Sequence, residues 1–133
     1  MIYDLKLVAE LSKELGFSIV DSSQTSVDIK IFEDAILVFQ NIDEQTDSLI
    51  GFSGTPWHEH GVLMFSGSDG CYTELAYIDV LSEIKLGKVL VCELFNHGVL
   101  KDRYLVHKNH IDEFEYMQSG DEIRIRQYIN DSL

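Results

Sequence analysis

The chain has 133 residues, 45% of them apolar, and its 10 Lys and Arg against 23 Asp and Glu leave a net charge of −13. That length fits one domain, residues 1–133, with a core that stands without staples, and that charge repels nucleic acid and anionic membrane surfaces while drawing a basic partner. No run approaches the about 20 apolar residues of a membrane-spanning helix, and Asp4 argues against a secretory leader, so a cytoplasmic location is expected, with Cys71 and Cys92 as reduced thiols in apolar surroundings.

Residues 3–15 carry Leu5, Val8, Leu11 and Leu15 at helical spacing, with Gly16 as the stop. Phe17 to Val20 reads as a short strand and Asp21 to Ser26 as turn. Val27, Ile29 and Ile31 alternate with Asp28 and Lys30 in a half-buried strand. Glu33-Asp34 connects it to the continuously apolar Ala35 to Phe39, which reads as a central strand. Asn41 to Asp47 is a polar acidic loop, and Ser48 to Ser53 is extended again.

Gly54-Thr55-Pro56-Trp57-His58-Glu59-His60-Gly61 holds the only Pro and the only Trp. Extended backbone over 57–60 sends His58 and His60 to one side, Trp57 and Glu59 to the other. Trp57 is expected to be largely buried. Val62 to Phe65 and Cys71 to Leu75 read as antiparallel strands about the turn Ser66 to Gly70. Tyr77, Val80, Leu81 and Ile84 mark a second helix, which begins there or as early as Thr73 and ends at Gly87. Lys88 to Phe95 and Val99 to Val106 form a hairpin around Asn96-His97-Gly98. Asn109 caps a helical turn through Phe114, and Glu122 to Tyr128 is an exposed or edge strand. The expected fold is α+β: one curved, mostly antiparallel sheet of about six to eight strands with two helices packed on it. Two helices cannot cover both faces, so the uncovered face, or a groove beside it, is the expected binding surface.

His58-x-His60 is open to three readings: the start of a metal site, part of an acid–base pair, or a packed corner of a small sheet. For the first, zinc wants three or four protein ligands. His97, His107, His110, Glu59 and Asp69 are available without a tight spacing, so no structural metal and no cofactor are expected. There is no Gly-x-Ser-x-Gly elbow and no Gly-Lys-Ser/Thr phosphate loop. The remaining candidate is acidic and aromatic. Asp112, Glu113, Glu115, Asp121 and Glu122 lie within eleven residues lacking Lys and Arg, with Phe114, Tyr116 and Met117 interleaved. Charge around aromatic anchors is the anatomy of a protein-binding patch. The candidate binding residues are therefore Trp57, His58, His60, Glu113, Phe114, Glu115 and Tyr116, with no catalytic residue assigned.

With Gly54 to His60 and Leu105-Val106-His107-Lys108 as its most individual stretches, the chain resembles, in size, charge and style over its whole length, the small acidic immunity proteins of bacterial toxin–immunity systems. No residue role is carried over. The resemblance implies a non-enzymatic protein that neutralises a basic toxin. A small enzyme or metal-binding protein using His58 and His60 is the second reading. A homo-oligomer joined through the uncovered sheet face is the third.

Overall fold

The computed structural model describes residues 2–43, 46–66, 70–110 and 118–128. Helix α1 spans Leu5–Glu14. The Asp4 carboxylate accepts the Leu7 N–H at 3.1 Å, which satisfies one of the unpaired amides of its first turn. Gly16 at φ +86° takes the left-handed conformation that ends it. Five strands follow, β1 (Ser18–Ser22), β2 (Ser26–Phe32), β3 (Ala35–Asp43), β4 (Asp47–Phe52) and β5 (His58–His60). Each pairs antiparallel with the next, so sheet order is chain order. β1 and β3 run further than the side chains suggest, through Ser22 and Asp43, because backbone pairing continues where the side chains are polar.

β6 (Leu63–Ser66) and β7 (Tyr72–Leu75) make a two-stranded sheet. Extended backbone at Tyr72–Leu75 excludes a helix beginning at Thr73. A 3-10 turn over Tyr77–Asp79 leads instead into α2 (Val80–Lys85). β8 (Val89–Asn96), β9 (Val99–His107) and β10 (Asp121–Arg126) form the third sheet, in the order β10-β8-β9. The expected hairpin is β8–β9. Its two turn residues, His97 and Gly98, both have positive φ, at 49° and 79°, as a two-residue hairpin loop of matching twist requires.

Among the described residues the protein is thus α+β and antiparallel throughout, with ten strands divided over three sheets and two helices. The ladder is broken where Gly61, at φ +69°, turns the chain out of β5, and again where α2 separates β7 from β8.

One core cluster joins the three sheets. Leu5 and Val8 of α1 meet Val27, Ile29, Leu37, Phe39 and Ile50, while Leu63, Val80, Ile84, Val89 and Val91 close it from the other side. Each such side chain contributes about 1.5–3 kcal/mol on burial. Leu90, Cys92 and Val106 form a second, smaller cluster, so the first five residues of β8 are buried whichever way they point. β3 is central, as expected, but only Ala35, Leu37 and Phe39 face the core. Ile36, Val38 and Gln40 point the other way and are half-buried. Cys71 corrects the expectation for the thiols: it is exposed, beside the equally exposed Tyr72 at the start of β7, while Cys92 is fully buried. Both are outside disulfides. No helix among the described residues is long and apolar enough to cross a membrane.

Candidate functional site

The outer face of the five-stranded sheet presents its side chains in rows set by the strand register. Asp28 lies opposite Val38, Val38 opposite Gly51, and Gly51 opposite His58. The next row runs Ser26, Gln40, Leu49, His60. Both rows begin polar on β2 and end on a histidine of the edge strand β5. Between them each row carries one apolar side chain, Val38 beside Gly51 in the first and Leu49 beside Gln40 in the second. A shallow depression of about 230 Å³ opens here, lined by Val38, Gln40, Leu49, Gly51, Trp57 and His58 among others. None of the row residues belongs to the core cluster. Burial, with Asp21 opposite on β1, raises the Asp28 carboxyl above the usual aspartate range.

β5 is held at both ends. Before it, Gly54 at φ +85° and Pro56 turn the chain, and the Trp57 N–H donates to the Asp102 carboxylate of β9 at 2.9 Å. Gly51 is needed beneath this corner, since a Cβ there would lie 2.9 Å from the Trp57 carbonyl oxygen and 3.2 Å from His58 Cβ. After it, the Gly61 N–H donates to the Ser48 carbonyl, and the Gly61 carbonyl accepts the Tyr3 hydroxyl. Burial pushes that phenol up to about 12.

The two-residue period of β5 separates its side chains as the sequence predicts. His58 and His60 are exposed on the outer face, with ring centroids 5.2 Å apart. Trp57 turns inward, half-buried, its ring 6.0 Å from that of Phe52. Glu59 accepts the Met64 N–H, and burial holds its carboxyl above the ordinary glutamate range. The His58 Nδ1–H donates to the Pro56 carbonyl at 3.0 Å, and the His60 Nδ1–H donates to the Asp47 carboxylate at 3.0 Å. That second bond is the main reason the Asp47 carboxyl sits below the usual range.

His107 and His110 make a separate, buried pair with ring centroids 5.7 Å apart, packed on Phe65 and hydrogen-bonded to Thr73. Among the described residues, no cluster of three or more His, Cys, Asp or Glu has the geometry to hold a metal ion. Asp112, Glu113, Phe114, Glu115, Tyr116 and Met117 lie outside the described residues, as does most of the turn expected after Asn109. Of that acidic run, Asp121 is engaged by Asn96 at 2.8 Å, which lowers its carboxyl below the usual range. Glu122 pairs with Arg124 at 3.3 Å, so cations do relieve the charge there.

A polar cluster the sequence did not announce sits in the three-stranded sheet. Glu93 and Arg103 are 3% and 5% exposed and face each other across β8 and β9. Arg103 reaches Glu93 Oε2 from Nε at 2.8 Å and from Nη2 at 2.7 Å. Arg126 adds a contact to the same oxygen at 3.4 Å and bonds Asp34 at 2.7 Å, its guanidinium lying over the Phe32 ring. The Arg126 bond depresses the Asp34 carboxyl. The available signal was one acid, Glu93, inside the apolar strand Val89 to Leu94.

No protein-family model, curated protein or solved structure matches the chain.

Proposed function

We propose that the chain is a non-enzymatic binding module that takes a basic protein, of the kind an immunity protein neutralises, on the outer face of its five-stranded sheet. The observation that carries the reading is the pair of rows ending at His58 and His60. Val38 and Leu49 supply an apolar middle with a polar or titratable group at each end. An apolar patch inside a polar rim is the ordinary anatomy of a protein interface. The charge of −13 selects the partner's sign and speeds its approach. It also opposes a second copy of the chain, whose equal charge would meet this one.

Affinity capture at low salt, with the wild type and Val38→Arg as paired baits, tests this. The reading requires a basic protein retained by the wild type, released by added salt, and lost by Val38→Arg. Retention by the variant at wild-type level removes this face from the reading. A captured partner of acidic composition removes the charge argument. A wild-type dimer in light scattering that Val38→Arg converts to monomer would replace the basic partner by a second copy.

A further inference from the structure

We propose that His58 and His60 form an exchangeable site for a divalent transition-metal ion, Zn²⁺, Cu²⁺ or Ni²⁺, with Asp47 as the residue that positions His60. Neutral imidazole suits these ions. A histidine that ligates a metal through one ring nitrogen commonly donates its other N–H to a carboxylate or a backbone carbonyl, which fixes the tautomer and aims the ring. Both rings have that arrangement already. The Nδ1 of His58 is held by the Pro56 carbonyl and that of His60 by Asp47, each at 3.0 Å. With the proton on Nδ1, each ring carries its lone pair on Nε2. Neither Nε2 has a hydrogen-bond partner among the described residues, and both rings are exposed.

The strand period keeps the two rings together, 5.2 Å between centroids. They stand on an edge strand that Gly51, Asp102 and Tyr3 hold in place. A chain of net charge −13 also concentrates dications near its surface. Two protein ligands do not make a closed structural site, which needs four. Water therefore completes the shell, and the ion comes and goes. This site requires no protein partner, so its test and that of the partner-binding face are independent.

The test uses the full chain without a histidine tag, stripped with a chelator and titrated with Zn²⁺. Calorimetry is combined with nitrogen NMR of the imidazole rings. The expected result is a single saturable site, with the Nε2 signals of His58 and His60 moving while both Nδ1 remain protonated. His58→Ala, at an exposed position, abolishes the site. Asp47→Ala weakens it by about tenfold or more, shifts the His60 tautomer balance, and is largely rescued by Asp47→Asn, which keeps an accepting oxygen. Lack of saturable binding, movement confined to other histidines, or undiminished binding in His58→Ala overturns the site. Equal affinity in Asp47→Ala overturns the positioning role. The wild-type ring signals decide the matter even if a variant fails to fold.

Discussion

The His58–His60 edge and the Glu93–Arg103 pair use charged or titratable side chains on adjacent strands or at alternate positions of one strand, yet their surroundings are opposite. At the edge, each ring makes one short bond to a nearby oxygen and leaves its other nitrogen to solvent. In the three-stranded sheet, one carboxylate oxygen receives two bonds from Arg103 and a contact from Arg126. Through Asp34, the second cluster also ties the β2–β3 turn to β9 and β10. A buried, paired charge fixes which strands lie together. An exposed lone pair on a fixed frame is free to meet a ligand.

The largest expected effect breaks the buried cluster. Arg103→Met strips the buried Glu93 carboxyl of its main partner in the core, which costs about 3–5 kcal/mol in urea unfolding. Replacing both partners, Glu93→Leu with Arg103→Met, should be near neutral or even stabilising by about 1–4 kcal/mol. A single-variant loss under about 1 kcal/mol would mean that water reaches the pair, and the contrast with the edge would go.

Trp57→Ala comes next. A fully buried aromatic ring loses about 3–5 kcal/mol on truncation. Trp57 is half-buried with Phe52 beneath it, so about 2 kcal/mol is expected in the same assay. Its backbone bond to Asp102 survives the substitution. A loss below about 0.5 kcal/mol would place the ring outside the core and make it a binding anchor instead.

These two sites also mark what the sequence made legible. The facing of Trp57 and His58 was readable, because a strand alternates every residue and the Gly-Thr-Pro break set its start. The β8–β9 hairpin was readable for a similar reason: apolar runs flank a triplet that accepts positive φ. The division into three sheets was not. It depends on which strands leave the ladder, and Gly61 reads in the sequence as one more turn residue. Arg103 was equally hidden. Its partner is fixed by cross-strand register, and an Arg in a strand of mixed character carries no sign of burial. Cys71 misled through its neighbours, since a short strand beside Tyr72 looks apolar in sequence and is exposed at the sheet margin.

Acid sharpens the comparison further. Burial, and then its neighbour His110, hold His107 below the ordinary histidine range, with Glu83 opposing and Lys108 and Lys88 assisting. A depressed folded value means that this contribution to stability is complete above the unfolded value near about 6.5 and is lost as pH falls through the folded one. Asp34, also depressed, adds a later loss below about 4. The urea midpoint should therefore fall in two stages on acidification, and His107→Gln should remove the first. A first stage that persists in His107→Gln would assign it to another group.

The smallest effect is the most informative about the edge. His58→Ala removes an exposed ring whose one bond, to the Pro56 carbonyl, water can replace. The metal-free protein should lose less than about 0.5 kcal/mol. Zinc changes the comparison, because an ion that binds only the folded chain stabilises it by mass action, about 2.7 kcal/mol at a hundred times its dissociation constant. The wild type should gain that increment in urea unfolding and His58→Ala should not. The substitution would then be silent without the ion and plain with it. A loss above about 1.5 kcal/mol without metal would instead make the ring part of the Gly54–Gly61 corner, with a structural role like that of Glu93. An equal zinc gain in both proteins would move the ion to another histidine and leave the outer face of the sheet to the proposed protein partner alone.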